Sequence, residues 1–389
     1  MKPTAPNALI LSALLALTPL AFSPFALAQS NAPKPRRSEP VSPIVGKNQS
    51  TLEEVASSPQ YQWNGIALTK TGRRFAAFPR QLGDTIGVAE ITTTGTIKPF
   101  PGGEWNTFSP TKSPQNPENR FVNVNAVYID KTDALWVVDA GTIKGQAIPG
   151  SPKLVKFNTA TGQVERIYRF SDSVLPPGAV LNDVRIGAGT AYLTESGLGA
   201  LIVVDLQSGE ARRLLAGDPV TKADPYPRVV VVIEGRKLLD EKGEPPKFNV
   251  NNLELTPDEA TLFFKPSFAY KWSHIETSAL LDTALSDDQL SARVQSGPEA
   301  MPTGGTTMDS EGNIYLMDIE RRAIWKQFPD GTLQLLVRDP RLLWGDASAV
   351  GSDGFLYVPA SQNHRIPVYN RGVDDALRPW KLFRIKLPQ

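Results

Sequence analysis

One hairpin pattern recurs six times along the chain, and it limits the available folds more than any other feature of the sequence. Each copy has a polar or small first residue, a short alternating strand, a turn, and a second strand rich in aliphatic and aromatic residues. The copies begin at Asn64, Asn125, Asn182, Asn251, Gly304 and Asp346. Their turns read KTGR, KTDA, GAGT, TPDE, DSEG and GSDG, and such residues tolerate the positive φ angles of tight hairpins.

Further strand-like runs follow most of these hairpins, for example at residues 153–158 and 200–206. Four strands per unit is the repeat of a β-propeller blade. A pair of β-sandwiches is the alternative, but it does not explain one hairpin recurring six times. The sequence therefore predicts an all-β, six-bladed β-propeller over residues 56–389, with residues 277–294 as a partly helical insertion.

The first 55 residues lack this pattern. Residues 8–17 form an apolar run, and Ala26 and Ala28 provide the small side chains that a signal peptidase requires. We interpret residues 1–28 as a signal peptide and residues 29–55, rich in Pro, Ser and Asn, as a flexible leader. A permanent membrane anchor is the alternative, but Pro19 interrupts the run before it can span a bilayer. We expect an exported protein, periplasmic or extracellular, with no membrane partner after signal removal.

Composition excludes several kinds of site. The chain has no cysteine and only two histidines, so thiolate, disulfide and multi-histidine metal sites are ruled out. Lys and Arg number 41 against 40 Asp and Glu, a formal charge of +1. A nucleic-acid partner is therefore not expected. Protein partners are not predictable from the sequence.

The first strand of each propeller blade lines the central channel, so the six opening residues should converge. Their amides and carboxylates suit hydrogen bonds to a polar ligand, or binding of one divalent cation such as calcium. A second set lies about fourteen residues later, at the ends of the second strands. It comprises Phe78, Asp139, Glu195, Lys265, Asp318 and Ala360.

Several roles stay open for these residues. Glu195 or Asp139 is the candidate general base, with Lys265 or an Asn stabilising an oxyanion. The other predicted ligand-binding residues are Asn64, Asn125, Asn182, Asn251, Lys265, Asp318 and Asp346. The alternative is that each Asn only satisfies its own backbone at a strand start. Trp344 and Trp105 are candidates to stack on an aromatic ligand, and His364 is either a base or a loop-holding residue.

Several stretches resemble the yellow / major royal jelly protein family in its bacterial, dopachrome-tautomerase-related branch. They are WNGIALTKTGRRFAAFPR (63–80), PKLVKFNTATGQV (152–164), AYLTESGLGALIVVDLQSGEARRLL (191–215), NNLELTPDEATLFFKP (251–266), DSEGNIYLMDIE (309–320) and DPRLLWGDASAVGSDGFLYV (339–358). The resemblance implies secretion and a six-bladed propeller. Functions vary among members of the family, so the resemblance implies a range that extends from dopachrome conversion to amine binding in the central channel.

The chain is also distantly similar to gluconolactonase-type propellers, which hold one divalent metal with a Glu and an Asn/Asp set. That resemblance places Asn182 and Asn251 as metal ligands. Asn64 stands where those proteins have Glu, and Gly304 stands where yellow-type sequences commonly have Asp. We therefore expect a channel that binds a small aromatic or amine-like molecule. The alternatives are an isomerase or tautomerase, a metal-assisted lactonase, and a protein-interaction scaffold.

Overall fold

The six hairpins form the inner half of six four-stranded antiparallel sheets. The computed structural model describes residues 50–83, 85–111, 116–223 and 230–388, all within the compact unit Pro40–Gln389. The predicted signal peptide and leader residues 29–49 lie outside the described residues. The prediction of an all-β, six-bladed propeller is confirmed.

The strands occur in the following order. They are β1 (Glu53–Ser58), β2 (Gly65–Leu68), β3 (Arg74–Ala77), β4 (Val88–Ile91), β5 (Ile97–Pro99), β6 (Val124–Ile129), β7 (Leu135–Asp139), β8 (Thr142–Ile143), β9 (Gln146–Ala147), β10 (Lys153–Phe157), β11 (Val164–Arg169), β12 (Leu181–Ile186), β13 (Thr190–Glu195), β14 (Ala200–Asp205), β15 (Ala211–Leu214), β16 (Val232–Ile233), β17 (Arg236–Lys237), β18 (Val250–Leu255), β19 (Thr261–Pro266), β20 (Lys271–Glu276), β21 (Gln295–Glu299), β22 (Thr303–Met308), β23 (Ile314–Asp318), β24 (Ala323–Gln327), β25 (Leu333–Arg338), β26 (Ala349–Val350), β27 (Phe355–Ala360) and β28 (Trp380–Lys386).

Blades 1 to 5 consist of β2–β5, then β6, β7, β10 and β11, then β12–β15, β18–β21 and β22–β25. Helices α1 (Thr277–Leu281) and α2 (Asp287–Ser291) lie between β20 and β21, as the predicted insertion required. Short 3-10 helices occupy Pro219–Thr221, Asn363–Arg365 and Pro367–Tyr369. Among the described residues, no helix has the length and apolar character needed to cross a bilayer.

The turns of the inner hairpins have the predicted backbone. Five of the six place a residue at positive φ, where glycine and a few other residues are tolerated. These residues are Gly72, Asp133, Glu259, Gly312 and Gly354. The turn chemistry therefore fixes the pairing of the two inner strands in these blades.

Blade 6 closes the ring with a strand from the other end of the chain. Its order is β26, β27, β28 and then β1, so the outermost strand is the first in sequence. The predicted boundary at residue 56 is therefore three residues late, since β1 begins at Glu53 and Leu52 is 4% exposed. The segment EEVASS has no apolar alternation, and backbone pairing with β28 orders it instead.

Neighbouring blades bury their side chains against each other. Between blades 2 and 3, Trp136 and Leu154 pack with Leu193 and Ile202 in one apolar cluster. Similar clusters lie between the other blades. Burying side chains of this size stabilises the fold by about 1.5–3 kcal/mol each, so the packed ring holds the channel residues on a rigid frame.

Candidate functional site

β-Bulges mark the opening residues of blades 2 to 5. The register of β6 against β7 shifts between Val124 and Ala126, which leaves Asn125 in a bulge. The inner strands of blades 3, 4 and 5 shift at the equivalent place, around Asn182, Asn251 and Gly304. A bulge interrupts the two-residue alternation and re-aims a side chain. The repeat thus places a bulge at the same position of these four blades.

All six opening residues line one pocket at the channel end where the inner strands begin. We call it the channel pocket; its volume is about 80 Å³. Its lining residues are Asn64, Gln81, Asn125, Asn182, Phe248, Asn251, Ser267, Gly304, Trp344, Asp346, Asn363 and Tyr369. The predicted convergence of the opening residues is what the structure shows.

The asparagines present oxygen atoms to this pocket. Asn64 donates from Nδ2 to the carbonyl of Asn125 at 2.8 Å, and Asn125 donates to the carbonyl of Asn182 at 3.1 Å. Asn182 donates to Ser196 Oγ at 3.2 Å. None of the four amide Oδ1 atoms accepts a hydrogen bond within the part of the chain that the structure describes. The ring therefore offers acceptors to a ligand that donates.

Asp346 adds the one carboxylate among the lining residues. It is 6% exposed, and its Oδ2 accepts from Ser361 Oγ at 3.0 Å and from Asn363 Nδ2 at 3.1 Å. Burial raises the pKa of Asp346 to about 7. This side chain therefore changes charge close to neutral pH.

Aromatic side chains form one wall of the channel pocket. Phe248 lies against Tyr369 with ring centroids 5.2 Å apart, and Trp344 lies beside them with a positive φ of 57°. Gly304 makes this arrangement possible. A Cβ there would lie 2.1 Å from the carbonyl oxygen of Gly345 and 2.9 Å from the Trp344 ring. The residue that interrupts the polar ring thus makes room for an aromatic wall.

An ion cluster forms the next layer along the channel. Arg185 contacts Glu254 at 2.9 Å and Asp183 at 3.1 Å, and these side chains are at most 13% exposed. Thr306 also donates to Glu254, at 2.6 Å. None of these residues lines the channel pocket. The channel pocket is therefore lined by the opening residues and the aromatic side chains, and it does not include the ion cluster.

The two predicted bases lie outside the channel pocket. Asp139 and its partner Lys153 are both fully buried, 2.8 Å apart, and the carboxylate also accepts the backbone N–H groups of Val122, Asn123 and Gly141. Glu195 accepts three backbone N–H groups at Oε1, and Arg213 lies 2.6 Å from Oε2. Both carboxylates fasten the loops at the ends of β7 and β13. Neither contacts the space that a channel ligand would occupy.

Asp318 and Lys265 are likewise internal. Asp318 accepts from the backbone of Glu320 and Arg321 and from Trp325 Nε1. Lys265 donates to the carbonyls of Ser267 and Met301 and to Thr303 Oγ1, and burial lowers its pKa to about 7. Neither residue lines the channel pocket.

The second ring of pocket residues lies just beyond the positions predicted for it. Gln81, Ser267 and Asn363 follow the predicted strand-end residues by two or three positions, in the loops. Phe248 and Tyr369 come from irregular connections, where no repeat exists to locate them. Of the two predicted stacking residues, Trp344 lines the pocket. Trp105 instead packs against Phe157, with their ring centroids 5.2 Å apart.

The oxygen atoms that line the channel pocket are poorly suited to bind a divalent cation. Asn182 and Asn251, the predicted metal ligands, do face one pocket, but they supply neutral oxygens. The one carboxylate there, Asp346, already accepts three hydrogen bonds from protein groups. No cluster of three or more His, Asp or Glu side chains suited to a metal occurs among the described residues. Calcium prefers several charged carboxylates, so we derive no step through a metal.

Comparison with known proteins agrees with this architecture. A gluconolactonase from Xanthomonas campestris is similar in structure, with 11% identity, a TM-score of 0.50, and coverage of 87% of this chain and 90% of that one. A calcium-binding regucalcin from Agrobacterium tumefaciens gives 14% identity, a TM-score of 0.51, and coverage of 86% and 93%. At these identities the likeness shows the fold alone. No curated protein matches the chain in sequence.

The sequence model of the major royal jelly protein family matches residues 122–347, which is more than half of the chain. That region runs from just before blade 2 to the start of blade 6, and it contains five of the six opening residues. The chain therefore belongs to the major royal jelly protein family.

Proposed function

We propose that the chain binds a small molecule through a protonated amine at the channel pocket. The observation that carries the proposal is the ring of four asparagine side chains. In three of them the amide N–H group donates to another protein group, so the amide oxygen is the atom left to bind a ligand. An ammonium group donates three hydrogen bonds and accepts none, so it complements such a ring. Asp346 supplies negative charge beside the ring when it is ionised.

The volume and the lining of the channel pocket limit the kinds of ligand that it can bind. A volume of about 80 Å³ accommodates an ammonium end group and not a whole aromatic molecule, since pockets for drug-sized ligands measure roughly 300–1,000 Å³. The apolar body of the ligand would lie against Trp344, Phe248 and Tyr369. Aromatic faces also attract cations, which favours an amine over a neutral head group.

Asn251→Ala is the sharpest variant for this proposal. The Asn251 side chain makes no hydrogen bond to other described residues, so its removal deletes an acceptor without breaking a bond within the blade. We expect phenethylamine to bind the variant at least tenfold more weakly, since a hydrogen bond to a charged group contributes about 1.5–3 kcal/mol. Isothermal titration calorimetry measures the affinity.

Two controls accompany this titration. Asn119→Ala removes an exposed Asn that does not line the pocket, and this variant should bind phenethylamine like the wild type. Phenethyl alcohol, the neutral analogue, should bind much more weakly than the amine. Equal binding of amine and alcohol, or equal affinities of the two Asn variants, would contradict amine recognition. Absence of any ligand binding would favour an interaction scaffold.

Amine binding should also depend on pH through Asp346. Below pH 7 the carboxyl is protonated and neutral, and above pH 7 it is ionised. The amine stays protonated throughout this range, so affinity should rise with pH, by about tenfold between about pH 6 and about pH 8 if only the ionised form binds. Asp346→Asn should bind weakly at both pH values. A wild-type affinity that falls or stays level as pH rises would refute this role.

Asp346 also supports a second candidate, an isomerase or tautomerase. A buried carboxyl with a pKa near 7 is matched to proton transfer at neutral pH, and this one lies at the ligand pocket. In that case Asp346, and not Glu195 or Asp139, would be the base. Turnover of a bound amine that disappears in Asp346→Asn while binding persists would identify this activity.

We further propose that binding takes place outside the cytoplasm. The support is the apolar run at residues 8–17 followed by small residues at Ala26 and Ala28. N-terminal sequencing of the protein recovered from a periplasmic extract would check it. A mature chain that begins at Gln29 is expected, and an intact first residue on cell-associated protein would contradict it.

A further inference from the structure

A larger cavity lies beside the channel pocket, between the β16–β17 hairpin and the loops that follow β27. We call it the hairpin pocket; its volume is about 380 Å³. Its lining residues are Ile233, Glu234, Arg236, Lys237, Leu238, Leu239, His364, Arg365, Tyr369, Asn370 and Arg371. The two walls are joined by a backbone bridge from Leu239 to Asn370 and by an ion pair from Arg236 to Asp375 at 3.1 Å.

Positive charge dominates the lining of the hairpin pocket. Four lining residues are Lys or Arg, and one, Glu234, is acidic. The Glu234 carboxylate is already bound: His364 Nε2 lies 3.0 Å from it and Arg365 Nη2 lies 2.7 Å from it. These hydrogen bonds lower the pKa of Glu234 to about 2. Its charge is therefore matched by Arg365 and does not neutralise the remaining cations.

Two of those cations have no acidic partner. Lys237 and Arg371 are exposed at the rim, and neither forms an ion pair with any residue that the structure describes. The whole chain carries a formal charge of only +1, so this local excess is not a general property of the surface. Unpaired Arg and Lys at the edge of a cavity attract a carboxylate or phosphate.

The rest of the lining is apolar. Ile233 and Leu238 are buried, and Tyr369 separates this cavity from the channel pocket because it lines both. The His364 side chain is 6% exposed and its ring lies parallel to Trp344, with centroids 6.1 Å apart and planes 9° apart. A ligand that fills this cavity would place an apolar body on these groups and its charge at the rim.

We propose that the hairpin pocket is a second binding site, selective for a small organic anion that joins a carboxylate to an aromatic or aliphatic body. Lys237 and Arg371 hold the carboxylate. Ile233, Leu238 and Tyr369 contact the body. The site does not depend on amine binding, since it shares only Tyr369 with the channel pocket.

The test compares two double variants that remove the same charge. Lys237→Gln/Arg371→Gln removes the unpaired cations of the rim. Lys242→Gln/Arg293→Gln removes one Lys and one Arg at exposed positions elsewhere. Benzoate is the probe, benzamide is its neutral analogue, and inorganic phosphate is an anion with no apolar body. Calorimetry gives the affinities, and thermal melting shows that both variants are folded.

We expect benzoate to bind the wild type and the Lys242/Arg293 variant alike, and the Lys237/Arg371 variant at least tenfold more weakly. Benzamide and phosphate should bind the wild type more weakly than benzoate. No benzoate binding by the wild type, equal benzoate binding by the two double variants, or equal binding of benzoate and either analogue would overturn the proposal. Asn251→Ala should leave benzoate affinity unchanged, which separates a failure of this site from a failure of the channel pocket.

Discussion

Asp139→Ala is expected to lower the free energy of unfolding by about 3–5 kcal/mol, because it leaves the Lys153 ammonium buried without a counter-charge. Both side chains are fully buried and 2.8 Å apart. The change also removes the acceptor of three backbone N–H groups, at Val122, Asn123 and Gly141. Urea unfolding monitored by tryptophan fluorescence measures the loss.

A matched surface pair provides the control. Lys156 and Glu165 lie 2.9 Å apart, but their side chains are 27% and 37% exposed. Glu165→Ala should therefore cost less than about 1 kcal/mol. Asp139→Ala/Lys153→Met should recover part of the loss, since the double variant buries no unpaired charge.

Ligand binding decides between this structural role and the predicted catalytic one. Folded Asp139→Ala and Glu195→Gln should bind phenethylamine with wild-type affinity at low temperature, because neither carboxylate lines the channel pocket. If Asp139→Ala unfolds with the same free energy as the wild type but has lost turnover, Asp139 would be the catalytic base.

Removing β1 is expected to have the second large effect. Without residues 50–58, β28 has no outer neighbour, and the contacts of Leu52, Ala56 and Ser58, each at most 6% exposed, are lost. Five backbone pairs at roughly 1 kcal/mol each and one buried leucine contribute about 7 kcal/mol together, and the cost of ordering the strand offsets most of this, so the expected net loss is about 1–3 kcal/mol. The exposed edge of β28 should also promote aggregation.

Two deletions and a peptide make this test specific. Chains that begin at residue 59 and at residue 50 differ only by the segment that contains β1. The shorter chain should melt at a lower temperature, and a synthetic peptide of residues 50–60 should raise its melting temperature by pairing with β28. A peptide of scrambled order should have no effect. Equal melting of the two chains would show that β1 does not hold the ring closed.

The sequence was sufficient for the parts of this molecule that repeat. Six hairpins with Gly, Asp or Asn turns predicted the blades, and the equivalence of their first residues predicted that Asn125, Asn182 and Asn251 meet in one pocket. It was insufficient where nothing repeats. Phe248 and Tyr369 lie in irregular connections, and β1 has no apolar alternation because its order comes from pairing with a strand at the far end of the chain.

The assignment of Asp139 and Glu195 as bases shows a different limit. A carboxylate at the end of an inner strand has the same sequence context whether it faces a ligand or a buried cation. The residue that the carboxylate contacts determines its role. For Asp139 that residue could have been found from the sequence, because Lys153 begins β10 and pairs directly with Asp139 across the two strands. Register pairing of charged residues on adjacent strands is the signal that would have identified a structural ion pair.

The position of β1 also has a consequence for when the molecule can finish folding. Glu53 and its partner Arg384 are 331 residues apart in sequence. At translation rates of about 5–20 residues per second, the first strand waits roughly 20–60 s for its neighbour to be synthesised. Blades 1 to 5 end at Arg338, so they can be complete while β26, β27 and β28 of the sixth blade are still to be synthesised. The last step in folding is therefore the pairing of β1, which is synthesised first, with β28, which is synthesised last.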